Sequence, residues 1–452
     1  MDYDKKLETY DWRYSAAALG LIKFFEYHDP LEEHYRIHDD FIEYDSSLLT
    51  KENYLDFVEY YYGDKLHHVF VEKQLKKKEF SEDDIKRIND KLSGNTIMKK
   101  VFKKIKFDGT NRYEILSLIS ENRMDLICET FRNKNDMYKN YCNTNQLFNE
   151  SQRFSRLNGY YIDAGKKGKS TAFSFDMEAF VGQDIPEFDF IPFAFLGDSV
   201  SFFVNDNYTL NRLEVTNKIF EDNINRDLRN EEYKNKKSVF FKTIIESVDF
   251  IDYDVEVITK DWEKDYFETL YIRKQSINIL KKIKDYKCFC FYHKVNDNYY
   301  IDVQNEVINC ILNNTLLDSW IEFFIKDERN YHYLVKQMIN INILIKEVTS
   351  MNQNSNEYHV EMYKASKCAE KVVKKLEENK LKSYRQKLIS SMSIKDYDRV
   401  CELLLNLSQY TGIYFNFTYK LFEDFEANKE IAYAFINDLD KAVLNKQKKE
   451  DK

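Results

Sequence analysis

The chain is 452 residues long, more than one ordinary core accommodates, so two or three domains are expected. Apolar residues at 43% and charged residues at 32% place it among folded proteins, while only 10 glycines and 3 prolines exclude collagen-like, linker-rich and most glycine-loop nucleotide-binding designs. A net charge of −9 excludes a chain that coats nucleic acid over its whole surface, leaving such contact to local patches or to a partner that carries the charge. Seven cysteines without framework spacing, an acidic Met1-Asp2-Tyr3-Asp4 start and the lack of a long apolar run lead to the expectation of a cytoplasmic protein with reduced thiols and no membrane span.

Residues 11–27, DWRYSAAALGLIKFFEY, read as a buried amphipathic helix capped by Asp11. Its Ser15-Ala16-Ala17-Ala18 cluster has side chains small enough to let another element approach closely. The stretch EEHYRIHDD that follows reads as a solvated face, and residues 52–107 as helices with charged faces. Within the latter, Lys99, Lys100, Lys103, Lys104 and Lys106 alternate with Ile97, Val101, Phe102 and Ile105, so a helix would bury the apolar set and turn the lysines outward.

The period then changes. Five of the ten glycines and two of the three prolines lie between 159 and 197, where LNGYYIDAG, KSTAFSF, EFDFIPFAF, SVSFFV, DYDVEVIT and ETLYIRK alternate or run apolar as strands do. From about 303 to 446 the helical period returns, with Gly412 the only glycine and no proline. The fold class expected is α+β: a mainly helical N-terminal region over 1–155, a mixed α/β region with antiparallel strands over 156–302, and a C-terminal helical bundle over 303–452.

Gly165-Lys166-Lys167-Gly168-Lys169-Ser170 looks like a phosphate-binding P-loop, but the position of the first glycine holds Asp163 and the residues that follow alternate like a strand. What remains is a tight basic turn, and the local concentration of glycine favours a contact loop for phosphate over a plain solvated turn. A second basic segment carries Lys364, Lys367, Lys371, Lys374 and Lys375 on one helical stripe, continued by Lys380, Lys382, Arg385 and Lys387. Over 364–387 nine basic residues face three acidic ones, a shape suited to a phosphate backbone and about equally compatible with a solvated helix face.

Catalytic signals are weak. His28-Asp29 and His38-Asp39 are His-Asp pairs without an assignable third ligand, and Cys288 and Cys290, on one face of an expected strand, lack the spacing of a zinc ribbon. Glu232-Tyr233-Lys234 and Glu378-Asn379-Lys380 have nuclease-like spacing but lie in charged helical stretches. No cofactor is expected.

Three segments together, Trp12 to Lys23, Leu157 to Asp163 with its Gly/Lys turn, and Glu187 to Phe195, resemble large subunits of type I CRISPR interference complexes (Cascade), in the divergent I-A/I-B-like branch of the CRISPR-associated protein eight superfamily. The resemblance covers the N-terminal two-thirds by motif and the last third by architecture. It implies a subunit that is not an enzyme, partnered by guide CRISPR RNA, other Cascade subunits and target double-stranded DNA. Such a subunit reads the short motif beside the target (PAM), helps open the R-loop and recruits a helicase–nuclease. A wedge role in the first base pairs falls on Asn158, Lys166, Lys167 and Lys169. The bundle resembles a small subunit, its lysine stripe guiding the displaced strand, with Met338 and Met351 as possible internal starts. The paired Cys-x-x-Cys motifs of one branch are missing, so no zinc site is carried over. The rival reading is a catalytic defence protein, either a nuclease or an HD-type phosphohydrolase using His28, His38, Asp39 and Asp40.

Overall fold

Asp11 opens the first helix by accepting a 2.8 Å hydrogen bond from the Arg13 backbone N–H, and its carboxylate also pairs with the Arg13 guanidinium. That helix, α1 (Trp12–His28), is the centre of the first of two units in the computed structural model. The structure describes residues 3–134, 147–148, 156–157, 185–197, 200–205, 209–228, 254–261, 267–327, 329, 331–349 and 355–440. The first unit takes residues 1–243 and 254–271, the second 244–253 and 272–452.

Ala16, Ala17, Ala18, Leu19, Leu21, Ile22, Phe24 and Phe25 of α1 are fully buried. The small face serves the purpose its composition suggests. A 3₁₀ segment, Pro186–Phe193, lies directly on it, so close that a Cβ added to Gly20 would stand 2.0 Å from the Phe190 carbonyl oxygen. This segment replaces the strand expected over 187–195. Pro186 and Pro192 have no N–H to donate to a ladder, and Phe188, Phe190, Ile191 and Phe193 are buried together, which a one-faced strand does not allow. Its buried carbonyls are met by side chains instead of a sheet: Tyr54 donates to Asp189 O at 2.7 Å, and Tyr61 (2.9 Å) and Lys23 (3.2 Å) donate to Phe193 O.

A three-stranded antiparallel sheet, ordered β1 (Lys5–Glu8), β3 (Phe41–Tyr44), β2 (Tyr35–Ile37), covers α1 through Leu7, Tyr35, Ile42 and Tyr44. It runs through the EEHYRIHDD stretch that read as a solvated face; three- and four-residue strands are too short to display a period. Five helices follow the sheet's α2 (Lys51–Tyr62): α3 (His67–Leu75), α4 (Glu82–Leu92), α5 (Thr96–Phe102), α6 (Arg112–Glu121) and α7 (Arg123–Lys134). Residues of α3 to α7 share a separate small core around Val71, Ile88, Met98, Phe102, Ile115 and Ile119. A four-stranded sheet, ordered β4 (Leu196–Gly197), β5 (Val200–Asn205), β6 (Val255–Asp261), β7 (Phe267–Ile272), and α8 (Leu210–Leu228) complete the unit. The strands expected in SVSFFV, DYDVEVIT and ETLYIRK are β5, β6 and β7; LNGYYIDAG and KSTAFSF lie outside the described residues apart from Leu157.

The second unit begins with α9 (Lys274–Lys282) and a hairpin of β8 (Tyr292–Asn296) and β9 (Tyr299–Asp302). Helices α10 (Val303–Leu312), α11 (Asp318–Lys326), α12 (His332–Thr349), α13 (Ser355–Lys375), α14 (Glu378–Ser393), α15 (Tyr397–Thr411), α16 (Thr418–Glu423) and α17 (Phe425–Asp438) form the C-terminal helical region. Helix α17 is its axis, buried at every residue from Lys429 to Asn437. Its buried charges meet opposite charges, Lys346 with Glu430 at 2.5 Å and Lys429 with Asp318 at 2.7 Å, and Asn342 of α12 bonds both the Leu317 N–H (2.7 Å) and Asp318 (2.9 Å). Gly412 ends α15 at φ +62°, the left-handed position that glycine takes at a helix terminus. The fold is thus α+β with a helical C-terminal region, and no described helix is long and apolar enough to cross a membrane.

The Gly20 contact gives a direct test. Gly20→Ala must push the Phe190 backbone away, and an overpacked core of this kind costs about 1–3 kcal/mol. The expected outcome is a lowered thermal midpoint for the first unit; an unchanged melt refutes the packing described.

Candidate nucleic-acid interface

The Gly/Lys turn with Asn158, Lys166, Lys167 and Lys169 lies outside the described residues, as does Glu232-Tyr233-Lys234. What is described is where the chain enters and leaves that stretch. Arg156 and Leu157 are buried, and the Arg156 guanidinium Nε donates to Asp189 Oδ1 at 3.0 Å with both side chains fully out of solvent. The other oxygen of Asp189 accepts the Phe148 N–H at 2.6 Å. Burial raises the pKa of this carboxyl, and the Phe148 amide works against the rise. On the far side, Ile185 leads straight into the segment that carries Asp189. The Asp189 carboxylate therefore holds Phe148 and Arg156, while Ile185 is held through its carbonyl by the Phe188 N–H.

The lysines of the first cluster are exposed as the pattern implies, but of its apolar set Ile97 and Phe102 are buried while Val101 and Ile105 are only partly so. Asn95 caps α5 by accepting the Met98 N–H at 2.9 Å, Ile97, Met98 and Phe102 are buried, and Lys99, Lys100, Lys103, Lys104 and Lys106 are all exposed. The helix ends sooner than the pattern implies, at Phe102. Lys103 then adopts φ +52° and ψ −109°, and the Ile105 N–H donates to Phe102 O at 2.8 Å. This is a type II′ turn with a lysine in the position that favours glycine. Backbone strain of about 1–3 kcal/mol is held there, and the result is that Lys103 and Lys104 leave the helix as a pair of exposed cations.

The second cluster divides by partner. Lys364 pairs with Glu361 at 2.6 Å and Lys367 with Glu370 at 2.8 Å, and Glu370 holds the Lys367 ammonium above its ordinary pKa. Lys375 donates to the Thr411 carbonyl at 2.7 Å. Among the described residues no carboxylate pairs with Lys371, Lys374 or Lys375, so these three form the open part of the stripe. The stripe does not run on as one surface. Glu377 is in extended backbone (φ −68°, ψ 148°), so α13 stops at Lys375 and α14 restarts at Glu378. On α14, Lys382 pairs with Glu378 at 3.1 Å, and Arg385 is mostly buried and paired with Asp440 at 3.4 Å.

Of the residues of the catalytic alternative, the two histidines have partners through their rings and the two exposed aspartates through their backbone carbonyls. His28 Nε2 donates to the Asn53 carbonyl at 2.9 Å, and His38 stacks on Phe41 and meets Glu43 at 3.0 Å. His34 and His38 stand at the two ends of β2. Asp39 and Asp40 accept backbone N–H groups of Leu210 and Thr9 through their carbonyls. Among the described residues no group of three or more His, Cys, Asp or Glu side chains could hold a metal ion. Cys288 and Cys290 are not on a strand: Cys288 lies in the 3₁₀ turn Lys287–Phe289 and Cys290 directly after it, their thiols donate to the Asp285 and Tyr286 carbonyls, and burial pushes Cys288 up to about 12.

Tyrosines around the second cluster carry no signal by themselves, because this composition is rich in them everywhere. The structure nonetheless seats Lys367 over Tyr363 at 5.6 Å and Lys380 over Tyr410 at 4.9 Å from the ring centres. Only the first of these pairs, four residues apart on α13, could be read from the sequence; the second joins α14 to α15.

A family model described as CRISPR-associated protein Csx8 matches residues 3–439, across both units. The chain belongs to the Csx8 family. No curated protein and no solved structure matches it. Family membership makes it a CRISPR-associated protein, and the lysines of α5 and α13 are the family member's described candidates for contact with the nucleic acid of such a system.

Lys103 separates stability from binding. Lys103→Gly relieves the II′ strain and is expected to raise stability by about 1 kcal/mol in a denaturant titration. If Lys103 meets a phosphate, the same variant binds DNA more weakly, with the salt slope of log K reduced by about 1.

Proposed function

We propose that this Csx8-family chain is the non-catalytic large subunit of a type I CRISPR RNA-guided surveillance complex, acting in the cytoplasm. In this reading it inspects the PAM of invading double-stranded DNA, helps open the R-loop, and recruits the helicase–nuclease that performs the cutting. The observation that carries the reading is the family match over residues 3–439. The acidic balance agrees with it, because in an RNA-guided complex other subunits and the guide RNA hold most of the phosphates, and this subunit needs only local basic contacts. The exposed lysines of α5, two of them set out on a strained turn, supply such a contact.

The wedge is assigned to Asn158, Lys166, Lys167 and Lys169. Support for that assignment is the glycine-rich sequence around them and the anchoring of the flanking Arg156 by Asp189. A loop that enters a duplex must have a fixed base, or its contact energy is spent on ordering itself.

The first experiment is to tag the chain in its native host, purify it gently and sequence the RNA that comes with it. Short RNAs with one repeat-derived 5′ end, accompanied by backbone subunits, are expected. A preparation without RNA, or one that hydrolyses DNA or nucleotides with a divalent metal, overturns the reading in favour of a catalytic defence protein. Within an assembled complex, Lys166→Glu with Lys167→Glu is expected to abolish target binding while assembly survives. Normal target binding by that double variant removes the wedge from this turn.

A further inference from the structure

The surface around the C-terminal end of α15 joins two features that separate parts of the sequence bring. From α13 come Lys371, Lys374 and Lys375, all exposed and none paired with a carboxylate among the described residues. From the end of α15 and the start of α16 come Tyr410, Tyr414 and Tyr419, exposed to 55%, 68% and 59%. Two contacts bring them side by side. Lys375 Nζ donates to the Thr411 carbonyl at 2.7 Å, and Cys368 Sγ lies 3.8 Å from the Tyr414 carbonyl. Lys371 is three residues from Cys368 and four from Lys375, hence on the same side of α13 as both.

The rings are held, not loose. The Tyr414 and Tyr419 hydroxyls bond to each other, with ring centres 6.3 Å apart and planes at 62°. Lys380 reaches the Tyr410 hydroxyl from α14 and lies over that ring, adding a fourth cation, whose ammonium the Tyr410 hydroxyl and, more weakly, the Glu377 carboxylate favour. Gly412, at φ +62°, sets the turn that puts Tyr410 and Tyr414 on either side of it. A single exposed tyrosine is ordinary on a protein surface. Three, fixed by bonds to one another and to a lysine and lying against an unneutralised row of lysines, are the two halves of a single-strand site: cations for the phosphates and π-faces for unpaired bases.

We propose that Tyr410, Tyr414 and Tyr419 stack the unpaired bases of single-stranded nucleic acid whose phosphates lie on Lys371, Lys374 and Lys375. The proposal rests on the nucleic-acid reading above and narrows it, because a base inside a duplex offers no free face to a tyrosine ring.

The test uses the purified full chain and four labelled probes: an oligothymidylate of about 20 nucleotides, longer than one typical site, its abasic counterpart of equal charge, an oligouridylate and a duplex. The wild-type chain is expected to prefer oligothymidylate over the abasic strand. Tyr410→Ala/Tyr414→Ala/Tyr419→Ala is expected to weaken oligothymidylate roughly tenfold or more and to leave the salt slope and duplex affinity unchanged. The Tyr→Phe triple variant keeps the π-faces and loses the hydroxyl bonds that hold them, so it is expected to bind oligothymidylate more tightly than the alanine variant, while an unchanged duplex affinity guards against misfolding of either. Lys371→Glu/Lys374→Glu is expected to flatten the salt slope. If the lysine variant weakens binding while the alanine variant binds as wild type, stacking is overturned and the phosphate stripe stands. If neither variant changes binding, both fall. Equal loss on strand, abasic strand and duplex, or a phenylalanine variant as weak as the alanine variant, also overturns the stacking role. Oligouridylate against oligothymidylate tells RNA from DNA as the occupant, and preference for either supports the site.

Discussion

The first unit is organised by one close approach, the backbone of Pro186–Phe193 lying on the alanine and glycine face of α1. Everything near it answers to that contact. Because the segment is not in a sheet, its carbonyls need donors, and Tyr54, Tyr61 and Lys23 provide them. Because it carries Asp189 into the interior, a cation has to follow, and Arg156 does. A buried pair of this kind contributes little over an apolar replacement, yet loss of one partner costs about 3–5 kcal/mol. The pair is therefore better understood as fixing where residues 148 and 156 must lie than as a source of stability.

Charge in this protein works by local accounting. The whole chain is acidic, and many of its lysines are answered by a glutamate one turn away, as Lys364 and Lys367 are. Exposed pairs of that sort are worth a fraction of a kcal/mol and leave little field behind. The lysines that stay open are consequently informative: the set at the end of α5, with Lys103 held in a backbone conformation suited to glycine, and the set at the end of α13. The chain is a CRISPR-associated protein of the Csx8 family, and these lysines are concentrated positive charge in an otherwise acidic sequence.

The second unit shows a different economy. Helix α17 is buried nearly all round, a condition that usually requires an apolar sequence, yet it brings Lys429 and Glu430 inside. Each meets an opposite charge from α11 or α12, so the same ion pairs that make burial tolerable also fix how those helices register against α17.

Helices and their starts were legible in the sequence alone, because period and capping are local: Asp11 at α1, the buried apolar set of α5, and the helical run after 303 are all read from residues a few positions apart. So was the small face of α1, though not what fills it. The tertiary structure decided the rest, wherever the outcome depends on a distant partner. Residues 187–195 look like a strand until α1 removes one of its faces and two prolines remove its donors. The short strands around 35–44 exist because β1 and α1 stand ready for them. The basic stripe is continuous in sequence but broken in space at Glu377, and which of its lysines remain open depends on glutamates and carbonyls that folding brings near. Tyr410, Tyr414 and Tyr419 were hidden for the same reason: an aromatic residue in a tyrosine-rich chain becomes a surface only when another helix places lysines beside it.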